Sequence, residues 1–446
     1  MGINAIREWL KKALGRNAAA PGRFDAHCHV FNLEYLLLEA GQMLWDAIIG
    51  RYPEAAPGTI HEDLAFERSG AERLGGIETF IRWAVQLLGA ALSSETENAR
   101  FLRKAADEAW GEKDLGLVPL MMDIYYMYAP PLREGASLAA AAPGGETAPS
   151  EAQRQEFKRR YGAIVEAQGT RLAARARGSI AAGILSGGAL PLADEILARI
   201  EASSPQGLRS GLGADFKQTA GFRHQMEALD EVRRALPGKV FPFLAVDPRR
   251  RGIVQALLAG GLVGGDGPYY GVKLYPRLGV HPACKELEPV YDYCSKKKIP
   301  ITSHCSRGGF PDWMDTWALY GQPSNFRPAL RGRPDLRIDL AHFGDRSDGF
   351  AWADEIKAMM AEFPGVYSDL ACYTRKSVLD AWFERYGADA LVAKRTMYGS
   401  DFDVMYFTNP GEVTLQGYGS MFKDRFGDER LKAMSGQVVK EFLGIA

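Results

Sequence analysis

From Val240 to the end of the chain, short apolar runs rich in β-branched residues alternate with stretches of helical character. No other feature constrains the fold as strongly. The runs are Val240–Asp247, Tyr270–Tyr275, Ile299–Cys305, Leu336–Phe343, Val366–Leu370 and Arg395–Asp401, with helix-like segments such as Leu287–Lys297 and Asp354–Phe363 between them. Strands that alternate with helices pair in parallel, so the pattern predicts βαβ units. Two earlier runs, Arg23–Phe31 and Leu117–Tyr125, bring the total to eight. Eight such units close into an α/β (β/α)8 TIM barrel, whose active site lies at the strand C-termini.

The early connections are longer than a barrel needs. Helical stretches at Leu33–Ile49, Ala71–Ala91 and Glu97–Trp110 separate the first two strands, and over a hundred residues separate the second from the third. The latter include a low-complexity run, Arg133–Ser150. Both connections leave strand C-termini, so helical insertions at about 33–112 and 129–238 are expected to cap the catalytic face of one barrel spanning 23–446. Residues 1–22 form an N-terminal extension in which Ile3, Ile6, Leu10, Ala13 and Leu14 recur at helical spacing. They read as a helix packed on the domain, because the apolar core of a secretory signal is missing.

Composition excludes several function classes. The 446 residues carry 54 basic and 55 acidic side chains, without the basic excess of a nucleic-acid binder. No apolar run approaches the roughly 20 residues of a membrane span. Five scattered cysteines point to reduced thiols in a cytoplasmic protein. A small-molecule substrate is the expected partner, and a homodimer the default assembly.

The chemistry concentrates at strand ends. In Asp25-Ala-His27-Cys-His29, strict alternation places Asp25, His27 and His29 on one face and Ala26 and Cys28 on the other. Two imidazoles so placed can reach one metal ion. His304, His342 and Asp401 close later strands, and Lys273 interrupts the apolar run Gly-Val-Lys-Leu-Tyr. A buried ammonium there is costly unless paired or used chemically. Imidazole and carboxylate donors suit Zn²⁺ best, with Mn²⁺ or Fe²⁺ as substitutes. Cys28 and Cys305 alternate away from the site, and His61, His224 and His281 lie off the strand ends. Arg277, Arg307 and Arg375 follow strands four, five and seven and are candidates to grip an anionic substrate. Tyr125, Tyr126, Tyr128 and Trp313 are candidates for an apolar wall, whereas Met121, Met122 and Met127 read as core filler.

The order HxH, Lys, His, His, Asp over strands one, four, five, six and eight resembles the amidohydrolase superfamily. The segments Ile299–His304, Leu336–Gly344 and Tyr398–Phe402 are similar to its amidohydrolase-2 branch, which holds hydrolases and non-oxidative decarboxylases such as aminocarboxymuconate-semialdehyde and γ-resorcylate decarboxylases. The resemblance implies that His27, His29, His304 and Asp401 hold or serve one or two metal ions, with Asp401 and His342 acting in catalysis. Lys273-Leu-Tyr-Pro is similar to the segment of dihydroorotases in which a carboxylated lysine bridges two metals, which gives Lys273 that role if it is carboxylated. The expected activity is hydrolysis of an amide, lactone or ester bond of a small molecule by metal-activated water. The alternative is metal-dependent decarboxylation of a small carboxylic acid.

Overall fold

Strands covered on both faces read as continuous apolar runs, and the eight strands of the computed structural model are buried along almost their whole length. The structure describes residues 20–52, 77–78, 80–81, 94–137, 149–175, 189–202, 216–264, 267–309, 317–344, 349–402, 404–405 and 414–445. The expected N-terminal helix, most of the 71–91 stretch, the middle of the low-complexity run, His61 and Trp313 lie outside these residues.

The strands are β1 (Arg23–Cys28), β2 (Leu115–Pro119), β3 (Phe243–Ala245), β4 (Gly271–Leu274), β5 (Ile301–Ser303), β6 (Ile338–Leu340), β7 (Val366–Asp369) and β8 (Thr396–Met397). β1 pairs with β2, and β3 to β8 form one parallel sheet in sequence order. Bridges from Leu117 to Val240 and from Leu120 to Phe243 join β2 to β3. Backbone bonds from Ala26 to Tyr398 (3.0 Å) and from Asp401 to His27 (2.8 Å) join β8 to β1. The circuit is closed, as a (β/α)8 barrel requires.

Two apolar layers show which way each side chain points. Phe24, Ala26, Val118, Leu120, Phe243, Tyr367 and Met397 come from strands on opposite sides of the ring and meet one another, so they fill the interior. The C-terminal helix Val438–Leu443 closes that floor by setting Phe442 against Phe243 and Tyr367. Cys28, Leu244, Val272, Leu274, Ile338 and Leu340 face outward into the larger core under the helices.

Strict alternation fails in β1. Asp25 pairs with Leu117 but Cys28 pairs with Pro119, so one extra residue is accommodated between them. This bulge lets Ala26 and His27 both face inward, and it puts Asp25 on the outer side, opposite to the expectation. The Asp25 carboxylate instead braces the bulge, accepting the backbone N–H of His27 (3.3 Å) and of Ser400 (3.0 Å).

The early helices divide into two groups. Glu95–Trp110 and Ala220–Ala235 bury Leu102, Ala105, Phe222, Leu229 and Val232 in the main core, as the barrel's own outer helices. Leu33–Ile48, Glu151–Arg175 and Ala189–Ala202 share a separate apolar cluster with Phe31, Met122, Tyr125 and Leu278. Because Phe31 and Met122 directly follow the C-terminal ends of β1 and β2, this cluster lies over the catalytic face. Among the described residues, each expected insertion therefore holds one helix of the barrel's outer layer, and its other helices join the separate cluster.

A buried charge network fastens cap to barrel. The Arg250 guanidinium donates to Asp123 (2.7 and 2.6 Å) and to the Lys217 carbonyl (2.9 Å), and lies 4.1 Å over the Phe222 ring. Breaking such a buried pair costs about 3–5 kcal/mol, because it strands the other charge. Glu39, from the cap helix, accepts from Thr219 Oγ1 (2.7 Å), while its other oxygen is buried with no partner. Burial pushes this carboxyl up to about 8, against the pull of Arg250. A folded-state value raised above the unfolded one gives stability that is complete below the unfolded value and lost as pH rises through the folded one. The wild-type melting temperature is accordingly expected to fall from about pH 4.5 to about pH 8 and to lose nothing further from this group above that, and Glu39→Gln to flatten that fall. Parallel declines in both proteins would contradict the assignment.

Candidate metal centre

The inward turn of β1 brings its two histidines to the mouth of the barrel. His27 Nδ1 lies 2.7 Å from Asp369 Oδ2, and His29 Nδ1 lies 2.7 Å from the Leu120 carbonyl. A carboxylate and a carbonyl only accept, so both Nδ1 atoms carry a proton, and in the neutral rings both Nε2 atoms keep a lone pair. Each Nε2 then faces Asp401 Oδ1 at 3.3 Å. With both rings neutral, three acceptor atoms converge in a site where His27, His29 and Asp401 are each at most 5 % exposed. That arrangement is stable only around a cation. The donor set, two imidazoles and one carboxylate, is that of a divalent transition metal, so these residues fit the ion that the sequence implies.

Electrostatics agree with this reading. Burial opposes charge on His27, but Asp369 overrides it and holds the imidazole at about 9. Burial lowers His29, where the Asp401 contact only partly compensates. Burial also works against the Asp401 carboxylate, yet its contacts with His27 and His29 keep it well below the usual range. A cation belongs among these groups, whether a shared proton or a metal.

Lys273, His304 and His342 line the same cavity, of about 30 Å³, together with Met121, Met122, Tyr275, Gly309 and Val404. His342 Nε2 lies 3.1 Å from His304 Nδ1, and His304 Nε2 lies 2.8 and 3.1 Å from the carbonyls of Gly308 and Ser306. His304 must therefore donate from Nε2 and accept at Nδ1 from His342. It stands beside the converging trio and outside it. The loop above His304 closes tightly: Gly309 has φ +115°, and a Cβ there would lie 2.7 Å from the imidazole. Burial lowers His342 to about 4, so the ring is neutral at neutral pH. Lys273 enters from β4 at the cavity floor, where burial depresses its ammonium while Asp401 and Asp369 act to retain it.

Backbone strain gathers around these side chains. His342 (φ 66°), Phe343 (φ 48°), Cys372 (φ 63°) and Asp401 (φ 59°) all adopt left-handed conformations. Each costs on the order of 1–3 kcal/mol, and such residues cluster where a fold holds groups for a task. Asp369 relieves one of these turns by accepting the His342 backbone N–H at 2.8 Å. Space is equally constrained at Gly399, where a Cβ would come within 2.6 Å of His27 Cβ.

Other expectations fare differently. Arg277 is buried but turns to the Arg307 carbonyl, Arg307 is exposed beside the Trp352 ring, and Arg375 is exposed just before the helix Lys376–Tyr386; none of the three lines the cavity. Tyr125, Tyr126 and Tyr128 pack in the cap cluster, whereas Met121 and Met122 form part of the cavity wall instead of serving only as filler. The sequence reading missed Asp369 and Asp339. Their signal was a carboxylate inside an apolar strand, the same signal that singled out Lys273.

Residues 24–410 match the family model described as amidohydrolase. The chain belongs to the amidohydrolase family. No protein of curated function matches it. Among solved structures, this amidohydrolase is similar to an uncharacterised TIM-barrel protein, Bb4693, from Bordetella bronchiseptica (20% identity, 56% of this chain, 85% of that chain, TM-score 0.33). It is also similar to 5-carboxyvanillate decarboxylase LigW from Sphingomonas paucimobilis (14% identity, 50% and 72% coverage, TM-score 0.34). A third is a Pseudomonas putida protein provisionally named 2-pyrone-4,6-dicarboxylic acid hydrolase (16% identity, 56% and 86% coverage, TM-score 0.34). The family is one of metal-dependent enzymes and includes both hydrolases and decarboxylases. Among the described residues no helix is long and apolar enough to cross a membrane.

Asp369 touches no other expected ligand than His27, yet it fixes that ring's tautomer and direction. Partners of this kind are worth about 10–100-fold in metal affinity. Asp369→Ala is expected to weaken Zn²⁺ binding by that factor in titrations of metal-free protein, and unchanged affinity would remove Asp369 from the centre.

Proposed function

We propose that this amidohydrolase is a metal-dependent hydrolase that cleaves an amide, lactone or ester bond of a small molecule. His27, His29 and Asp401 hold the first ion. Lys273, if carboxylated, and His304 are the residues available to a second. Zn²⁺ suits the donor set best, with Mn²⁺ or Fe²⁺ as substitutes. Such an ion, when bound, supplies Lewis acidity and lowers the pKa of water from 15.7 to about 7.

The position of Asp401 carries the proposal. Its Oδ1 lies 3.3 Å from both imidazole nitrogens, so the carboxylate stands where a water beside the ion would lose its proton. Asp401 accepts that proton and delivers it to the leaving atom, as a general base and then a general acid. His342 is neutral, and its one N–H, which rests on His304 Nδ1, is the donor it can turn to negative charge developing on the carbonyl oxygen. Met121, Met122 and Val404 supply an apolar wall to the cavity.

Decarboxylation is the second reading, and Lys273 is the observation that favours it. It is the one Lys or Arg among the described residues lining the cavity, and a departing carboxylate needs a cation to grip. Asp401 and Asp369 already compete for that charge, which leaves hydrolysis better supported. No disulfide joins the five cysteines, in keeping with a cytoplasmic setting.

A panel of small lactones, esters, amides and phenolic carboxylic acids, assayed before and after chelation and metal return, tests the proposal. Hydrolytic turnover that is lost on chelation, restored by Zn²⁺, and reduced about 10²–10⁴-fold by Asp401→Asn is the expected result. CO₂ release without hydrolysis of any other panel member would replace it with the lyase reading.

A further inference from the structure

Asp339 lies in the middle of β6, in register with Thr302 on β5 and Tyr367 on β7. Its neighbours Ile338 and Leu340 pack outward into the main core, so its own side chain points into the barrel, beneath the metal centre. It is fully buried, and neither of its carboxyl oxygens meets an N–H or O–H donor. An ionised carboxylate left in that state costs several kcal/mol. The group within hydrogen-bonding reach is another carboxyl, Asp369.

Two carboxyls facing one another are satisfied only when one carries a proton. Asp369 is not that one. Its Oδ1 accepts the backbone N–H groups of His342 (2.8 Å) and Ala371 (2.9 Å), and its Oδ2 accepts His27 Nδ1–H (2.7 Å). A carboxylate offers roughly four lone-pair sites, so three donors leave one place to fill. Asp339, as an acid, is placed to fill it. Burial and the charge of Asp369 both act in the same direction, raising the Asp339 carboxyl well above the usual range.

We propose that Asp339 is a positioning residue: as a neutral acid it donates its O–H to Asp369, completing a chain Asp339–Asp369–His27 that aims His27 Nε2 into the metal centre. The proton stays on Asp339, and no bond breaks. The purpose of the chain rests on the metal-site reading above, whereas the protonation of Asp339 does not.

The test compares the full-length wild type with Asp339→Asn and Asp339→Leu. In infrared difference spectra at neutral pH, the wild type is expected to show the carbonyl stretch of a protonated carboxylic acid that is missing from Asp339→Asn. Asn keeps an N–H donor for Asp369, so its Zn²⁺ affinity is expected to stay at the wild-type level. Leu fills the volume without a donor and is expected to weaken Zn²⁺ binding about 10–100-fold. Identical carboxyl bands in wild type and Asp339→Asn would show Asp339 ionised and overturn the proposal. So would an Asn variant that binds Zn²⁺ as weakly as the Leu variant, or a Leu variant that binds as tightly as the wild type. Should the Leu variant not fold, the Asn affinity and the infrared band decide alone. A wild type that binds no Zn²⁺ would sink the metal-site reading and leave the infrared result standing by itself.

Discussion

The centre depends on one geometric conflict: two imidazole lone pairs and a carboxylate oxygen point at one another inside a buried site. Such a grouping repels itself unless a cation lies within it. The surrounding structure enforces the conflict instead of relaxing it. Asp369 and the Leu120 carbonyl take the Nδ1 protons and thereby commit His27 and His29 to presenting Nε2. Asp401 is held in a left-handed turn, with its backbone N–H on the His27 carbonyl, so the carboxylate and the first imidazole move as one unit. Gly399 leaves the room that His27 needs. A fold that spends several kcal/mol of strain to hold acceptors together is organised around what they bind.

Much of this was legible in the chain. Alternating runs from Val240 onward specify the parallel barrel, and residues at the ends of those runs, His304, His342 and Asp401, meet at one cavity. The rest was hidden for physical reasons. A bulge shifts which residues face inward, and no alternation rule contains the bulge, so Asp25 turned outward although the pattern placed it with His27. The outer helices Glu95–Trp110 and Ala220–Ala235 are amphipathic like those of the cap, and only packing separates them. Arginines just past a strand end have long side chains that choose their partners locally, as Arg277 does with the Arg307 carbonyl. Asp339 and Asp369 were visible as charges inside apolar strands, and they deserved the weight that Lys273 received.

The cap and the barrel divide the remaining work. Tyr125, Asp46 and Lys217 form a polar cluster beside the Arg250–Asp123 pair, so the segment after β2 is gripped from both sides. Met121 and Met122 project from that segment into the catalytic cavity. Part of the cavity wall thus comes from residues whose position depends on the cap, while the candidate metal ligands come from the strand ends.

The central claim is that His27, His29 and Asp401 bind a divalent ion. Elemental analysis of protein purified without chelator, set beside the His27→Ala/His29→Ala double variant, tests it most directly. At least one ion per chain in the wild type, and none in a folded double variant, is the predicted result. A double variant that retains the full metal content would contradict the account.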